Sequence, residues 1–147
     1  MVWGGISFAY RTPLVIIDGN LTAQRYINEV LTPAVVPFFA GHPNVALLQQ
    51  DNARPHTARI TTDYLQHQNI ATLPWPAFSP DLSPIEHLWD QLGRAVRERP
   101  QQPQTRRQLE IALQEEWRNI PQIKIPTPYS VNASKMPRLC RCKWWPH

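Results

Sequence analysis

Proline placement limits this chain more than any other feature. A proline has no backbone N–H and clashes with the preceding helical turn, so helix interiors and central strands exclude it. Sixteen prolines stand against five glycines in 147 residues, about twice the usual share. They bunch at 74–84, 100–103 and 121–146. Regular elements are left to the stretches between, and the bunches mark connections.

In those stretches the hydrophobic period supplies the elements. Residues 2–8 and 14–17 read as two short strands forming a hairpin, the second closed by Asp18-Gly19-Asn20. Thr22 is the expected N-cap of a helix with Tyr26, Ile27, Val30, Leu31 and Ala34 on its apolar stripe. Pro33 and Pro37 are expected to kink or restart that helix, and Gly41 to end it. Val45-Ala46-Leu47-Leu48 is wholly apolar, the mark of a strand buried on both faces. A helix entered at Pro55, with Ala58, Ile60, Tyr64 and Leu65 as its apolar positions, is expected to end near Gln68-Asn69, before a strand at 70–73. Residues 74–84 are neither helix nor central strand. Ile85, Leu88, Trp89, Leu92 and Val96 then give the clearest helical stripe, and Leu109, Ala112, Leu113 and Trp117 give another. From Pro121 no period survives. The order of elements is that of an α/β protein with helices on the faces of a central sheet.

Composition narrows the function classes. The chain is 42% hydrophobic with mean hydropathy −0.42, the range of a soluble globular domain. The longest apolar candidate, 31–40, falls short of a membrane span and carries two prolines. The first ten residues lack the basic-then-apolar pattern of a secretory leader. Two cysteines, Cys140 and Cys142, are too few for a disulfide framework, which favours a reducing compartment. Charge is divided. Residues 1–90 hold four Arg against seven Asp and Glu, whereas residues 91–147 hold eight Arg and three Lys against four Glu. A basic half beside an acidic half suits nucleic acid gripped by one part and altered by the other, although a solvated basic helix face has the same composition.

Asp51 follows the apolar strand directly, where open α/β sheets place their ligands. Glu86 opens the helix after the proline block. Two carboxylates delivered to one place would repel by about 4 kcal/mol at ~4 Å and an effective dielectric near 20, so they imply a divalent cation. Each also has a structural reading. Ser83-Pro84-Ile85-Glu86 fits a capping box, and Asp51 fits an Asx turn. Asp81 and Asp90 compete with Glu86 as the second carboxylate, and spacing does not choose among them. His56 falls in a first helical turn, where it contacts a phosphate, supports a carboxylate, or satisfies the helix terminus. Asn52 fits a turn. Trp75, Phe78 and Trp89 suit a core better than a base-stacking platform. Cys140, Cys142 and His147 stand at odd spacing for zinc, and Arg138, Arg141, Lys143, Trp144 and Trp145 form a basic aromatic tail suited to nucleic acid.

Two long blocks carry a family resemblance. Residues 50–56, Gln-Asp-Asn-Ala-Arg-Pro-His, resemble the QDNAxxH block of Tc/mariner-type DDE transposases. Residues 75–89, from Trp75-Pro76-Ala77-Phe78 to His87-Leu88-Trp89, resemble their WPAxSPDLNPIEnLW block, with Ser83 for the usual Asn. Met1-Val2-Trp3-Gly4, Ile17-Asp18-Gly19 and Gln24-Arg25-Tyr26-Ile27 match as well, so the resemblance covers residues 1–120. Thirty-four residues separate Asp51 from Glu86, as in the branch whose last acid is glutamate.

The resemblance implies an RNase H-like mixed sheet flanked by helices. It implies three acids holding two Mg²⁺ (or Mn²⁺) ions, with water activated to nick transposon ends and the freed 3′-hydroxyl attacking target DNA. Asp51 matches the second acid and Glu86 the third, with Asn52 and His56 as supporting residues; Asp81 and Asp90 match positions outside the triad. DNA is the implied partner, with a homo-oligomer and a nuclear location, and no membrane. The family's first acid lies upstream of the Val2-Trp3-Gly4 strand, so the expected domain (1–120) lacks its first, central strand and that acid, and its activity is expected to be impaired. End-recognising helix-turn-helix domains are likewise outside this sequence. Residues 134–140 are similar to the family's SMPRRC with an extra Lys, within a Pro-rich basic tail (121–147) expected to be irregular. A non-catalytic nucleic-acid-binding or interaction module derived from a transposase is the alternative reading.

Overall fold

The computed structural model describes residues 1–7, 9–74, 76, 83–121 and 138–145. The expected hairpin forms: β1 (Val2–Ile6) pairs antiparallel with β2 (Val15–Ile16), Val2 opposite Ile16 and Trp3 opposite Val15. Gly19 turns the chain out of the hairpin at φ +64, a value glycine reaches without a Cβ penalty. The Thr22 side chain accepts from the Arg25 N–H at 3.3 Å, capping α1 (Ala23–Tyr26) as its position predicts.

The two prolines fall within one continuous helical run, Pro33 inside a widened segment and Pro37 in the first turn of the α-helix that restarts after it. α1 runs on through a nine-residue π-helical segment (Ile27–Val35) into α2 (Val36–Gly41). Pro33 lies inside the wide segment, and at its end the Val36 N–H bonds the Leu31 carbonyl five residues back. A wider turn makes room for a ring that a tighter α-turn would press against the carbonyl four residues before it. Tyr26, Ile27, Val30, Leu31 and Ala34 are all buried, and Gly41 ends the run.

β3 (Val45–Gln49) is less enclosed than its composition suggests. Val45, Leu48 and Gln49 are buried, Leu47 is half-buried and Ala46 is exposed. Ala46 is an extra residue where the register shifts between Val45 and Leu47, which turns it off the sheet. The single helix expected from Pro55 is two: α3 (Arg54–Thr57) and α4 (Arg59–His67), broken where Ala58 turns extended at ψ 140. Thr61, Tyr64 and Leu65 face inward, and Ile60 stays exposed. Asn69, left-handed at φ 55, turns the chain into β4 (Ala71–Thr72).

α5 (Pro84–Arg97) and α6 (Arg106–Asn119) follow the predicted stripes, with Ile85, Leu88, Trp89, Leu92, Val96, Ala112, Leu113 and Trp117 buried. A capping box opens α6, Thr105 accepting from the Gln108 N–H while the Gln108 side chain accepts from the Thr105 N–H. At its far end Arg11 donates to the carbonyls of Ile120 (2.5 Å) and Arg118 (3.0 Å), tying the hairpin to the helix terminus.

The tail departs most from expectation. Residues 138–145 are not irregular; they form β5 (Arg138–Trp145). It lies between β1 and β3 in a five-stranded mixed sheet of order β2-β1-β5-β3-β4. β5 is antiparallel to β1, with Gly5 opposite Cys142, and parallel to β3, with Leu48 opposite Cys140. The place expected to be empty at the centre is thereby filled, because β1 and β3 each present a row of backbone groups that need partners.

Alternation along β1 divides the core in two. Trp3 joins the α1–α2 run, β3 and α4 on one face, and Val2 and Ile6 meet α5 and α6 on the other. There Trp89 stacks on Trp117 with ring centroids 5.2 Å apart, and Trp117 Nε1 donates to the Thr12 carbonyl at 2.9 Å.

Candidate active site

Asp51 stands two residues past the end of β3, with its side chain about one-third exposed (31%). Its Oδ1 accepts from the Ala53 N–H at 3.0 Å, an Asx turn that bends the chain from strand toward α3. The same Oδ1 lies 2.7 Å from His56 Nδ1. That nitrogen is also 3.1 Å from the Asp51 carbonyl. The His56 side chain is fully buried (0%), so among its expected roles the carboxylate contact is the one present and direct contact with a phosphate is not.

Below His56 lies a small polar network that sequence reasoning missed. The Tyr26 ring packs against the imidazole with centroids 4.6 Å apart, and its hydroxyl donates to Gln50 Oε1 at 2.8 Å. Tyr26 and Gln50 are both buried. The sequence marks Tyr26 as an apolar stripe position and part of a family match, not as a hydrogen-bonding group; a tyrosine in an otherwise aliphatic stripe carries a hydroxyl that must find a partner once buried.

Glu86 is half-buried in the first turn of α5, on a different element, and its N–H bonds the Ser83 carbonyl at 3.1 Å. The Ser83 side chain makes no capping bond, so the box suggested by the sequence is not formed from that side. Asp90 is exposed and paired with Arg94 one turn on, which accounts for it as a surface ion pair. Asn52 is exposed beside Asp51. Asp81, Trp75, Phe78 and His147 lie outside the described residues, while Trp89 is core, as expected. The structure thus brings together Asp51, Ala53 and His56. Among the described residues no group of three or more His, Cys, Asp or Glu side chains is gathered to hold a metal ion.

The donor chemistry still suits a hard cation. Asp51 offers a carboxylate held from the protein side and partly open to solvent, and Mg²⁺ is commonly held by one or two carboxylates with water and substrate phosphate completing its shell.

A family model described as "DDE superfamily endonuclease" matches residues 3–110. The chain belongs to that family. The Tcb1 transposase of Caenorhabditis briggsae is 33% identical over 145 residues, covering 96% of this chain and 50% of that protein. The Tc3 transposase of Caenorhabditis elegans is 32% identical over 122 residues, 82% of this chain and 37% of its own length. Among solved structures, the catalytic domain of Mos1 transposase, described with Raltegravir and Mg, superposes with a TM-score of 0.57 at 30% identity, covering 74% of this chain and 55% of that one. The same domain described with Mn gives 0.53. The family's fold is therefore that of the RNase H-like catalytic domain, and the homology is to Tc1/mariner transposases. The chain spans about half the length of the first relatives it matches.

Proposed function

We propose that this chain carries the DNA strand cleavage and transfer chemistry of a transposase catalytic domain, with Asp51 and Glu86 as carboxylates that hold Mg²⁺ or Mn²⁺. The observation behind this reading is the tethered, partly open Asp51 carboxylate at the carboxyl end of a sheet strand. A divalent ion bound there supplies activation of a water or 3′-hydroxyl nucleophile and neutralises charge on the leaving oxygen. Asp51 and Glu86 hold and orient; Asn52 and His56 support the Asp51 turn. The basic residues of 91–147 provide counter-charge for DNA phosphates, so binding weakens with salt. The substrates under this reading are transposon ends and target DNA, the setting is the nucleus, and a homo-oligomer pairs the two ends.

The test is nicking of a supercoiled plasmid with and without Mg²⁺. Nicking by the wild type that falls to the buffer level in Asp51→Ala and in Glu86→Ala is expected. Nicking that persists in both variants would assign it to other residues.

A further inference from the structure

We infer that His56 is a positioning residue for Asp51, acting as a hydrogen-bond donor through its Nδ1–H. This rests on the reading of Asp51 as a metal ligand. Two Asp51 atoms stand within hydrogen-bond reach of Nδ1, Oδ1 at 2.7 Å and the carbonyl at 3.1 Å, and both are oxygens that accept. A hydrogen must therefore sit on Nδ1, and the neutral ring is the Nδ1–H tautomer. Oδ1 then receives two donors, the Ala53 N–H and the imidazole N–H. Two donors on one oxygen fix the plane of the carboxylate, and with it the direction in which Oδ2 points.

The imidazole is in turn fixed. It is fully buried, and it lies against the Tyr26 ring, whose hydroxyl is tied to Gln50. Gln50 directly precedes Asp51 in the chain, so the network returns to the same turn. A ring held this way acts on the ion through the carboxylate, as a histidine or carboxylate behind a metal ligand does elsewhere, where loss of such a partner commonly costs about 10–100-fold in metal affinity.

The proposal is tested by titrating Mn²⁺ into the full chain and its variants. Asn places an N–H donor near the position of Nδ1, whereas Leu fills similar space without one. His56→Leu is expected to bind Mn²⁺ about 10–100-fold more weakly, and His56→Asn to recover most of that loss at matched melting temperature. A histidine that only fills space would show no difference between Asn and Leu, and that equality would overturn the inference. Asp51→Ala separates the two readings. If it binds Mn²⁺ like the wild type, the assignment of Asp51 as ligand fails; if binding is lost there but unchanged in His56→Leu, only the role of His56 fails. Should the Leu variant not fold, long-range ¹H–¹⁵N spectra of wild-type imidazoles decide, since an Nε2–H tautomer at His56 contradicts the donor role.

Discussion

A methyl group on Gly4 would stand 3.0 Å from the Trp89 ring and 3.1 Å from Trp117. Those two indoles are stacked and buried against β1, so neither yields by rotating into solvent. Gly4→Ala is therefore expected to cost about 1–3 kcal/mol, the range for overpacking a filled core. A lowered urea midpoint at unchanged slope would show it; an unchanged midpoint would mean the indole pair shifts without penalty. Residue-scale legibility follows the same distinction. Asp51 could be singled out because it adjoins a strand end that the pattern reveals; Glu86 opens a helix, but only the family resemblance chose it over Asp81 and Asp90. The ring contact of Tyr26 with His56 could not, because thirty positions separate the two and no local period links them.

Among the elements, α6 is the one whose beginning is most completely specified locally. Thr105 and Gln108 satisfy each other's backbone donors, and Thr105→Ala is expected to lower stability by about 1 kcal/mol. Chemical denaturation of the two proteins measures this, and an effect near zero would indicate that water replaces the hydroxyl fully. The stripes of α5 and α6 were legible for the same reason: each helix has one apolar face and one core to meet. The run from Ala23 to Gly41 was less so. Proline rules describe an α-helix, and the chain meets them by widening into a π-helical segment that keeps Val30, Leu31, Ala34 and Val35 buried. Burial of those side chains outweighs the preference for a narrower helix. α3 and α4 separate for a related reason. The Asx turn and the His56 contact hold α3 at the site, while α4 aligns its own face with Leu65 inward.

At the scale of the whole molecule, the sheet is continuous only because β5 joins β1 to β3. Deleting residues 138–147 would leave two inner strands with unpaired backbone groups, each costing about 1–3 kcal/mol when buried. The deletion is expected to abolish cooperative unfolding and the slow hydrogen exchange of β1 and β3 amides. Amides as protected as those of the full chain would show that another segment takes the place of β5. The same strand bears on the site, since β3 leads into Asp51 two residues past its end and is held from its inner edge by β5.

Local chemistry determined the hairpin, the Thr22 cap, the helical stripes and the α/β order, because each depends on residues a few positions apart. The partner of a backbone edge is a different kind of fact. Nothing in the Arg138–Trp145 segment marks it as central, for strand pairing is set by which hydrogen-bonding rows remain open once the rest of the chain has folded. The folded arrangement likewise decided that His56 is buried against Asp51 rather than exposed to a phosphate, because burial is a property of the elements around a residue and not of the residue.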